Sequence, residues 1–199
     1  MKFKNNELIF KLVFCAIMAS FAIILDKFLS FKTYNLKFTL YGLPLMFVGI
    51  MYGWKAGLLS GVVAGVVLQL TSEYGISVTS PFWALAPMAW GFFSGLVSDL
   101  YKKQLNVLKI SIAVVASSIT SFIFNTLTMF LDSLLIKDSY YTASVILTGV
   151  PTRLLSMIIL CPVYILVLSF LYKTLKKTMI DKNNNDEENN EVNTEINEE

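Results

Sequence analysis

The chain has 199 residues, of which 55% are hydrophobic and 15% are charged, and its mean hydropathy is +0.63. Soluble domains carry about 25% charged residues, so this composition is typical of a membrane protein. The charges are also segregated, because residues 1–180 have a net charge of +9 and residues 181–199 have a net charge of −7. A basic, apolar body with an acidic, polar end indicates a membrane protein with a solvated terminus and excludes a nucleic-acid binder.

Six apolar segments follow one another and predict six transmembrane helices. A membrane-spanning helix needs about 20 largely apolar residues, and the second segment is clearly shorter than that. It is separated from the third at Gly53, beside the interfacial pair Trp54 and Lys55. The predicted spans cover residues 10–29, 39–52, 55–71, 81–101, 107–136 and 147–172. The sequence therefore predicts an all-α, polytopic membrane domain over residues 1–180.

The acidic tail and the distribution of lysines predict the topology. Residues 181–199 are rich in Asn and Glu, so we expect a disordered tail. An even number of spans puts both termini on one side, and a cytoplasmic placement leaves ten lysines inside and four outside, as the positive-inside rule requires. Three outer lysines, Lys27, Lys32 and Lys37, share the first loop, either as interfacial residues or as a site for an anionic ligand. We thus expect a multi-pass protein of the cell membrane with cytoplasmic termini.

Several chemistries are excluded by residues that the chain lacks. Histidine is absent, and the two cysteines, Cys15 and Cys161, lie in separate apolar segments. The lack of histidine removes imidazole catalysis and His-ligated zinc, and no P-loop motif is present for ATP. We therefore expect no enzymatic activity, no cofactor and no metal. An intramembrane enzyme built on Asp26, Asp99 or Asp132 remains an alternative, as does a purely structural membrane protein.

The fifth predicted span carries a polar stripe. Its members recur at offsets of three and four residues, which puts them on one helix face, and such a face must contact protein or water rather than lipid. They are Ser118, Ser121, Asn125, Thr128 and Asp132. Asn125, near the middle of the span, either lines a cavity or bridges two helices.

Arg153 is the only arginine in the chain and lies near the start of the sixth span. Its planar, forked set of donors suits a carboxylate or the edge of a heteroaromatic ring. The structural alternative is an ion pair with Asp132 or Glu73.

The segment between the third and fourth spans combines aromatic and polar residues. Tyr74, Phe82 and Trp83 lie close in sequence to Gln69 and Glu73. Aromatic residues at a membrane interface form belts, but beside polar groups they can also form a stacking pocket for a flat polar ring. Both interpretations stay open.

Several short motifs occur in an order that resembles a known family. They are FLSFKT at residues 28–33, LPL at 43–45 with Gly49, YG at 52–53 with Gly57, NTL at 125–127 and PTRL at 151–154. Together they resemble the folate-type substrate-binding (S) components of energy-coupling factor (ECF) transporters, over about residues 8–175.

The resemblance implies a six-helix protein that captures a water-soluble vitamin at the outer face, with folate as the leading candidate. Pantothenate, pyridoxine, thiamin and a queuosine precursor are the alternatives. It further implies docking on a membrane coupling (T) subunit that two ATPase subunits power, through small residues of the first helix, here Ala16, Ser20 and the nearby Ala19. From the residue patterns and the resemblance together, we expect the substrate-binding residues to be Arg153, Asn125, Trp83, Phe82, Tyr74, Gln69 and Lys32.

Overall fold

The computed structural model describes residues 2–33, 36–72, 75–102, 104–136 and 140–198, with side chains for 8–30, 39–72, 75–102, 104–136 and 140–178. Seven helices occur in these ranges: α1 (Lys2–Phe28), α2 (Gly42–Tyr52), α3 (Trp54–Leu70), α4 (Ser80–Trp83), α5 (Leu85–Leu100), α6 (Val107–Leu135) and α7 (Ala143–Glu198). One of them, α4, is a single turn; α1, α2, α3, α6 and the apolar part of α7 match predicted spans, and α5 covers only part of the fourth. The all-α fold class is thus confirmed, with one addition: a short antiparallel hairpin of β1 (Phe31–Thr33) and β2 (Leu36–Phe38) in the first loop.

Three of the described helical segments are long and apolar enough to cross a membrane by themselves. They are Leu8–Phe28, Val107–Leu135 and Ala143–Thr178. The helices between them are shorter, and α2 in particular has only 11 residues, eight of which are buried. A short helix that is buried on nearly all sides needs no lipid-facing length, so α2 forms part of the core of the bundle.

The fourth predicted span is divided in two. Its first part is the single turn α4, and the main helix α5 begins only at Leu85. Pro87 explains the break, because proline has no N–H to donate to the carbonyl of Trp83 and its ring clashes with that carbonyl in a continuous helix. The expected start at Pro81 is therefore correct for α4 but not for the long helix.

The glycines of α3 pack directly against α5. A Cβ built on Gly57 would lie 2.1 Å from the carbonyl oxygen of Gly91, and the reverse distance is also 2.1 Å. Small residues permit this backbone contact between membrane helices. Gly49 of α2 packs on α5 in the same way, since a Cβ there would lie 2.8 Å from the backbone nitrogen of Gly95. The helices α2, α3 and α5 consequently form a tightly joined block.

Two of the three candidate carboxylates of an intramembrane enzyme have structural partners. Asp99 accepts a hydrogen bond of 3.0 Å from the backbone N–H of Trp54 and thereby caps the start of α3. Asp132 accepts a hydrogen bond from the hydroxyl of Thr79, so it joins α6 to the segment before α4. The two carboxylates therefore stabilise contacts between different pairs of segments: Asp99 joins α5 to α3, and Asp132 joins α6 to the segment before α4.

A hydrophobic core lies between α2, α6 and α7. Its largest members include Met46, Ile50, Ile110 and Tyr164. Helix α7 continues beyond this core to Glu198. A polar, Asn-rich helix is marginal in water by itself, so the disorder expected for residues 181–199 stays a prediction.

Candidate functional site

A cavity of about 150 Å³ lies between the start of α2, α5, α6 and the part of α7 from Arg153 to Tyr164. Because α2 begins where α1 and the hairpin end, this cavity is in the part of the bundle opposite to the N-terminus of α1. Its polar lining comes from Thr39, Ser118, Ser121, Asn125, Arg153 and Ser156. Its aromatic lining comes from Tyr41, Trp90, Phe122 and Tyr164. The combination of rings and hydrogen-bonding groups is typical of a site for a small, partly polar molecule.

The polar wall is the predicted stripe of α6. Ser118, Ser121 and Asn125 line the cavity, and Ser118 accepts a hydrogen bond of 3.3 Å from the thiol of Cys161. The Ser121 hydroxyl is buried beside the Tyr41 hydroxyl but makes no hydrogen bond of good geometry among the described residues. A buried hydroxyl that is poorly satisfied is costly, which makes Ser121 a candidate binding group for a molecule in the cavity. The sequence left two positions open for Asn125, and the structure places it on the cavity wall.

Farther along α6 the stripe has a structural role. The hydroxyl of Thr128 donates to the carbonyl of Phe82 at 3.2 Å, and Asp132 accepts from Thr79. These two contacts hold α4 against α6. One polar stripe therefore serves two purposes, with binding groups near mid-helix and packing contacts near the end.

The aromatic wall consists of residues that sequence reasoning missed. Trp90 and Tyr164 meet edge to face, with ring centroids 5.7 Å apart, and the Tyr164 hydroxyl donates to the carbonyl of Thr39 at 2.8 Å. The Tyr41 hydroxyl faces the side chains of Trp90, Ser121 and Asn125. Aromatic rings with polar atoms in mid-span, away from the membrane interfaces, were the available signal. In the sequence they are hidden within long apolar segments.

Gly42 makes room for this wall. A Cβ at Gly42 would lie 2.8 Å from Cδ2 of Trp90, so the indole ring lies directly against the first turn of α2.

Arg153 is the one ionised side chain that lines the cavity, as far as the structure describes the chain. It lies ten residues after the start of α7, which is about 15 Å along the helix axis. Its Nη1 is buried and has no hydrogen-bond partner among the described residues. The alternative ion pair with Asp132 is not formed, and Glu73 lies outside the described residues. A half-buried guanidinium with an unsatisfied donor requires an acceptor from elsewhere.

The other expected substrate-binding residues do not line the cavity. Phe82 is 39% exposed, and the ring of Trp83 packs on Tyr141 at a centroid distance of 5.7 Å. Gln69 lies half-buried on α3, away from the cavity. Tyr74 and the side chain of Lys32 lie outside the described part of the chain. The break at Pro87 explains the position of the two α4 aromatics, since it places that turn beside the C-terminal end of α6.

The face of α1 that was expected to dock divides into two parts. Ala16 and Ser20 are exposed, and the Ser20 hydroxyl is satisfied within the helix by the carbonyl of Ala16 at 2.9 Å. Ala19, by contrast, is fully buried in a cluster with Leu45 and Ala64. A residue inside the bundle cannot contact a partner, so Ala19 is a packing residue and its expected docking role is corrected.

No group of three or more potential metal ligands occurs within the described residues. A bundle of membrane helices around a cavity with aromatic rings, uncharged polar groups and one cation is typical of membrane proteins that bind a small molecule. The family model described as "ECF-type riboflavin transporter, S component" matches residues 7–177, and the chain belongs to this family. It is thus a vitamin-binding membrane component of a transporter, a family of transport proteins rather than enzymes.

Solved structures of S components have the same fold. A structure of ThiT from Listeria monocytogenes has a TM-score of 0.62 at 19% identity, over 86% of this chain and 98% of that chain. FolT bound with folic acid has a TM-score of 0.58 at 20% identity, over 81% and 92%. The S component of a bacterial ECF transporter has a TM-score of 0.58 at 19% identity, over 83% and 97%. No curated protein sequence matches the chain.

Proposed function

We propose that the chain captures a folate at the outer membrane surface and delivers it to an ECF transport complex. The observation that carries the proposal is the unsatisfied Nη1 of Arg153 in a cavity with aromatic walls. A folate has a flat pterin ring for the aromatic wall and carboxylates for the guanidinium. In this arrangement Trp90 and Tyr164 pack on the ring, while Ser121 and Asn125 bind its polar edge.

The charge of the cavity narrows the choice of vitamin. A cationic vitamin such as thiamin would bring a positive charge next to Arg153, and like charges at short range repel strongly in a site of low dielectric. An anionic vitamin gains a charge-assisted hydrogen bond instead. Folate and pantothenate both satisfy this condition, but only folate also matches the aromatic wall.

Riboflavin is the second candidate, because the matching family model is described as a riboflavin transporter S component. Its ring system is flat and presents carbonyl oxygens, which accept hydrogen bonds from Arg153 without a full negative charge. Folate therefore depends on the positive charge of Arg153, whereas riboflavin depends only on its N–H donors.

The cavity has to widen when the vitamin binds. Pockets for small molecules usually enclose about 300–1,000 Å³, whereas this one encloses about 150 Å³. The block of α2, α3 and α5 is joined through backbone contacts at Gly57 and Gly91. We therefore assign the movement to the other wall, formed by α6 and α7.

The partners follow from the same proposal. A membrane coupling (T) subunit and two ATPase subunits provide the energy, and the exposed small residues Ala16 and Ser20 of α1 permit close approach to the T subunit. Both termini then lie in the cytoplasm.

Calorimetry on the purified chain in detergent tests the choice of ligand. We expect tight binding of folate, weaker binding of riboflavin and no binding of thiamin. Arg153→Gln should lower folate affinity by roughly ten- to over a hundredfold, the equivalent of about 1.5–3 kcal/mol for a hydrogen bond to a charged group.

The matched control is Lys55→Gln, which removes a positive charge over the ring of Trp54 at the opposite end of the bundle. This variant should bind folate as the wild type does. Riboflavin binding that exceeds folate binding, and that Arg153→Gln lowers by less than about tenfold, as for the loss of an uncharged hydrogen bond, would select the second candidate.

A further inference from the structure

A proline interrupts the hydrogen bonding of α7 at the level of the cavity. Pro162 lies inside this helix, directly after Cys161, which lines the cavity, and its own side chain is exposed. Proline has no N–H to donate to the carbonyl of Ile158, four residues earlier, and its ring clashes with that carbonyl in a straight helix. Because the ring is exposed, it adds no packing inside the bundle to offset the lost bond. The helix is therefore weakened at this position.

The two parts of α7 on either side of Pro162 differ in how firmly they pack. The part after it contributes three large buried side chains to the hydrophobic core, namely Tyr164, Leu168 and Tyr172. Among residues 143–161, all of which the structure describes, Ile146 is the one large apolar side chain that is buried. Met157 and Leu160 reach the core but are only partly buried. The core thus holds the second part of α7 more firmly than the first.

Hydrogen bonds also join the second part of α7 to other segments. The hydroxyl of Tyr164 donates to the carbonyl of Thr39, just before α2, at 2.8 Å. The hydroxyl of Tyr172 accepts a hydrogen bond of 3.4 Å from the backbone N–H of Leu105, between α5 and α6. These two tyrosines fix the helix after Pro162 to both ends of the bundle core.

The hydroxyls before the proline bond within α7 itself. Thr152 donates to the carbonyl of Gly149, and Ser156 donates to the carbonyl of Thr152, both at 2.8 Å. Bonds of this kind do not hold a helix to its neighbours, and they often bend it. A hydrogen bond that does reach another helix, from the thiol of Cys161 to Ser118 at 3.3 Å, lies at the very end of this part.

We propose that Pro162 is a hinge on which residues 143–161 of α7 swing toward the lipid, and that this movement opens the cavity to the vitamin. The inference deepens the proposed function, because it names the moving part of the wall formed by α6 and α7, and it rests on that function for the ligand. Helix α6 is itself tied to α4 and the segment before it, through Thr128 and Asp132. The first part of α7 is therefore the part of this wall that moves.

The length of the moving part makes a small bend sufficient. Arg153 lies nine residues before Pro162, which is about 13 Å along the helix axis. A kink of about 20°, as prolines produce, displaces this position by about 5 Å. Arg153 then moves away from Trp90, whereas Tyr164, on the fixed side of the hinge, stays in contact with that indole.

A first experiment measures the hinge without any vitamin. Spin labels on Leu155→Cys of α7 and Leu70→Cys of α3, at side chains that are 58% and 62% exposed, give the distance between the moving part and the fixed block. The two buried native cysteines are changed to Ala in this chain. Pro162→Ala should narrow the distance distribution measured by electron paramagnetic resonance, because the bond to the carbonyl of Ile158 is restored. An equal width with and without Pro162→Ala would overturn the hinge.

Pro151→Ala is the matched control for this experiment. Pro151 is a second exposed proline inside α7, but it lies on the other side of Leu155 from the anchored part. Its replacement also restores a helical hydrogen bond, yet it leaves the connection between Leu155 and the core unchanged. The distribution should therefore stay as broad as in the parent chain, and narrowing equal to that of Pro162→Ala would contradict a hinge at Pro162.

A second experiment measures the rate of vitamin entry. Stopped-flow quenching of tryptophan fluorescence gives the association rate constants of folate and of riboflavin. Pro162→Ala should lower the constant of the vitamin that binds by about two- to twelvefold, since one more backbone hydrogen bond has to be strained when α7 bends. Pro151→Ala should bind at the wild-type rate. Equal rates for Pro162→Ala and the wild type would overturn the role of the hinge in vitamin entry.

The two experiments separate the hinge from the choice of vitamin. A narrowed distribution in Pro162→Ala, together with a wild-type chain that binds neither folate nor riboflavin, would support the hinge and contradict the proposed ligands. Folate binding with an unchanged distribution and an unchanged rate would overturn the hinge and leave the proposed function in place.

Discussion

The indole of Trp90 on α5 meets the ring of Tyr164 on α7 edge to face, with an interplanar angle of 85°. This contact crosses the cavity region and links the glycine-packed block to the helix that carries Arg153. The Tyr164 hydroxyl extends the link to the start of α2 through the carbonyl of Thr39. Three helices thus meet at one aromatic pair, which gives the cavity its apolar wall.

Replacement of Trp90 by Leu should lower the affinity for the vitamin while the chain stays folded. Aromatic pairs contribute about 0.5–1.5 kcal/mol beyond burial, so we expect a loss of roughly two- to twelvefold. Trp54→Leu is the control, because Trp54 forms a similar edge-to-face pair with Phe92 but does not line the cavity. Calorimetry that finds equal affinity in the two variants would contradict the stacking role.

The sequence predicted much of this fold from apolar length alone. Five of the six spans agree closely with α1, α2, α3, α6 and the apolar part of α7. The exception is the span with Pro87, where a proline after a turn of aromatic residues breaks the helix. The position of that break depends on one carbonyl clash, which hydropathy does not detect.

Only part of the cavity could be predicted. Arg153 and Asn125 stand out because charge and amide groups are costly in a membrane, and both line the cavity. Trp90 and Tyr164 can be placed in a membrane without a large free-energy cost, so nothing in the sequence marks them. Their role becomes visible only when helices distant in sequence are brought together. Phe82 and Trp83 looked similar in sequence to pocket residues, but their turn lies at the C-terminal end of α6.

The contact between Gly57 and Gly91 should be sensitive to a single methyl group. Gly57→Ala places a Cβ where the carbonyl oxygen of Gly91 lies at 2.1 Å, and overpacking of this kind costs typically 1–3 kcal/mol. Thermal unfolding in detergent should show a clearly lowered midpoint. Leu59→Ala on the same helix, at a side chain that is 42% exposed, should leave the midpoint nearly unchanged. A midpoint as high as that of the wild type in Gly57→Ala would show that α3 and α5 can separate without loss.

Substitutions at the exposed and at the buried small residues of α1 should cause different defects. Ala16→Trp combined with Ser20→Trp should bind the vitamin normally but abolish ATP-dependent uptake, because bulk on the exposed face prevents close approach of the T subunit. Ala19→Trp should impair folding and binding together, since Ala19 is fully buried. Affinity and uptake are measured on each variant. Normal uptake by the double variant would exclude this face from docking.

The acidic tail should be dispensable for binding. Removal of every residue after Lys177 takes away the net charge of −7 but leaves intact the segment that the family model matches. Vitamin affinity and the thermal midpoint should equal those of the full chain. A large loss of either would mean that the tail contacts the bundle.

Mass spectrometry of the small molecules released from the purified chain tests the central claim most directly. A vitamin bound around Arg153 and the aromatic wall should survive purification and appear at close to one equivalent per chain. The account predicts a folate in the released fraction of the wild type and its depletion from Arg153→Gln. Release of thiamin, or a folate content that is the same in Arg153→Gln as in the wild type, would contradict it.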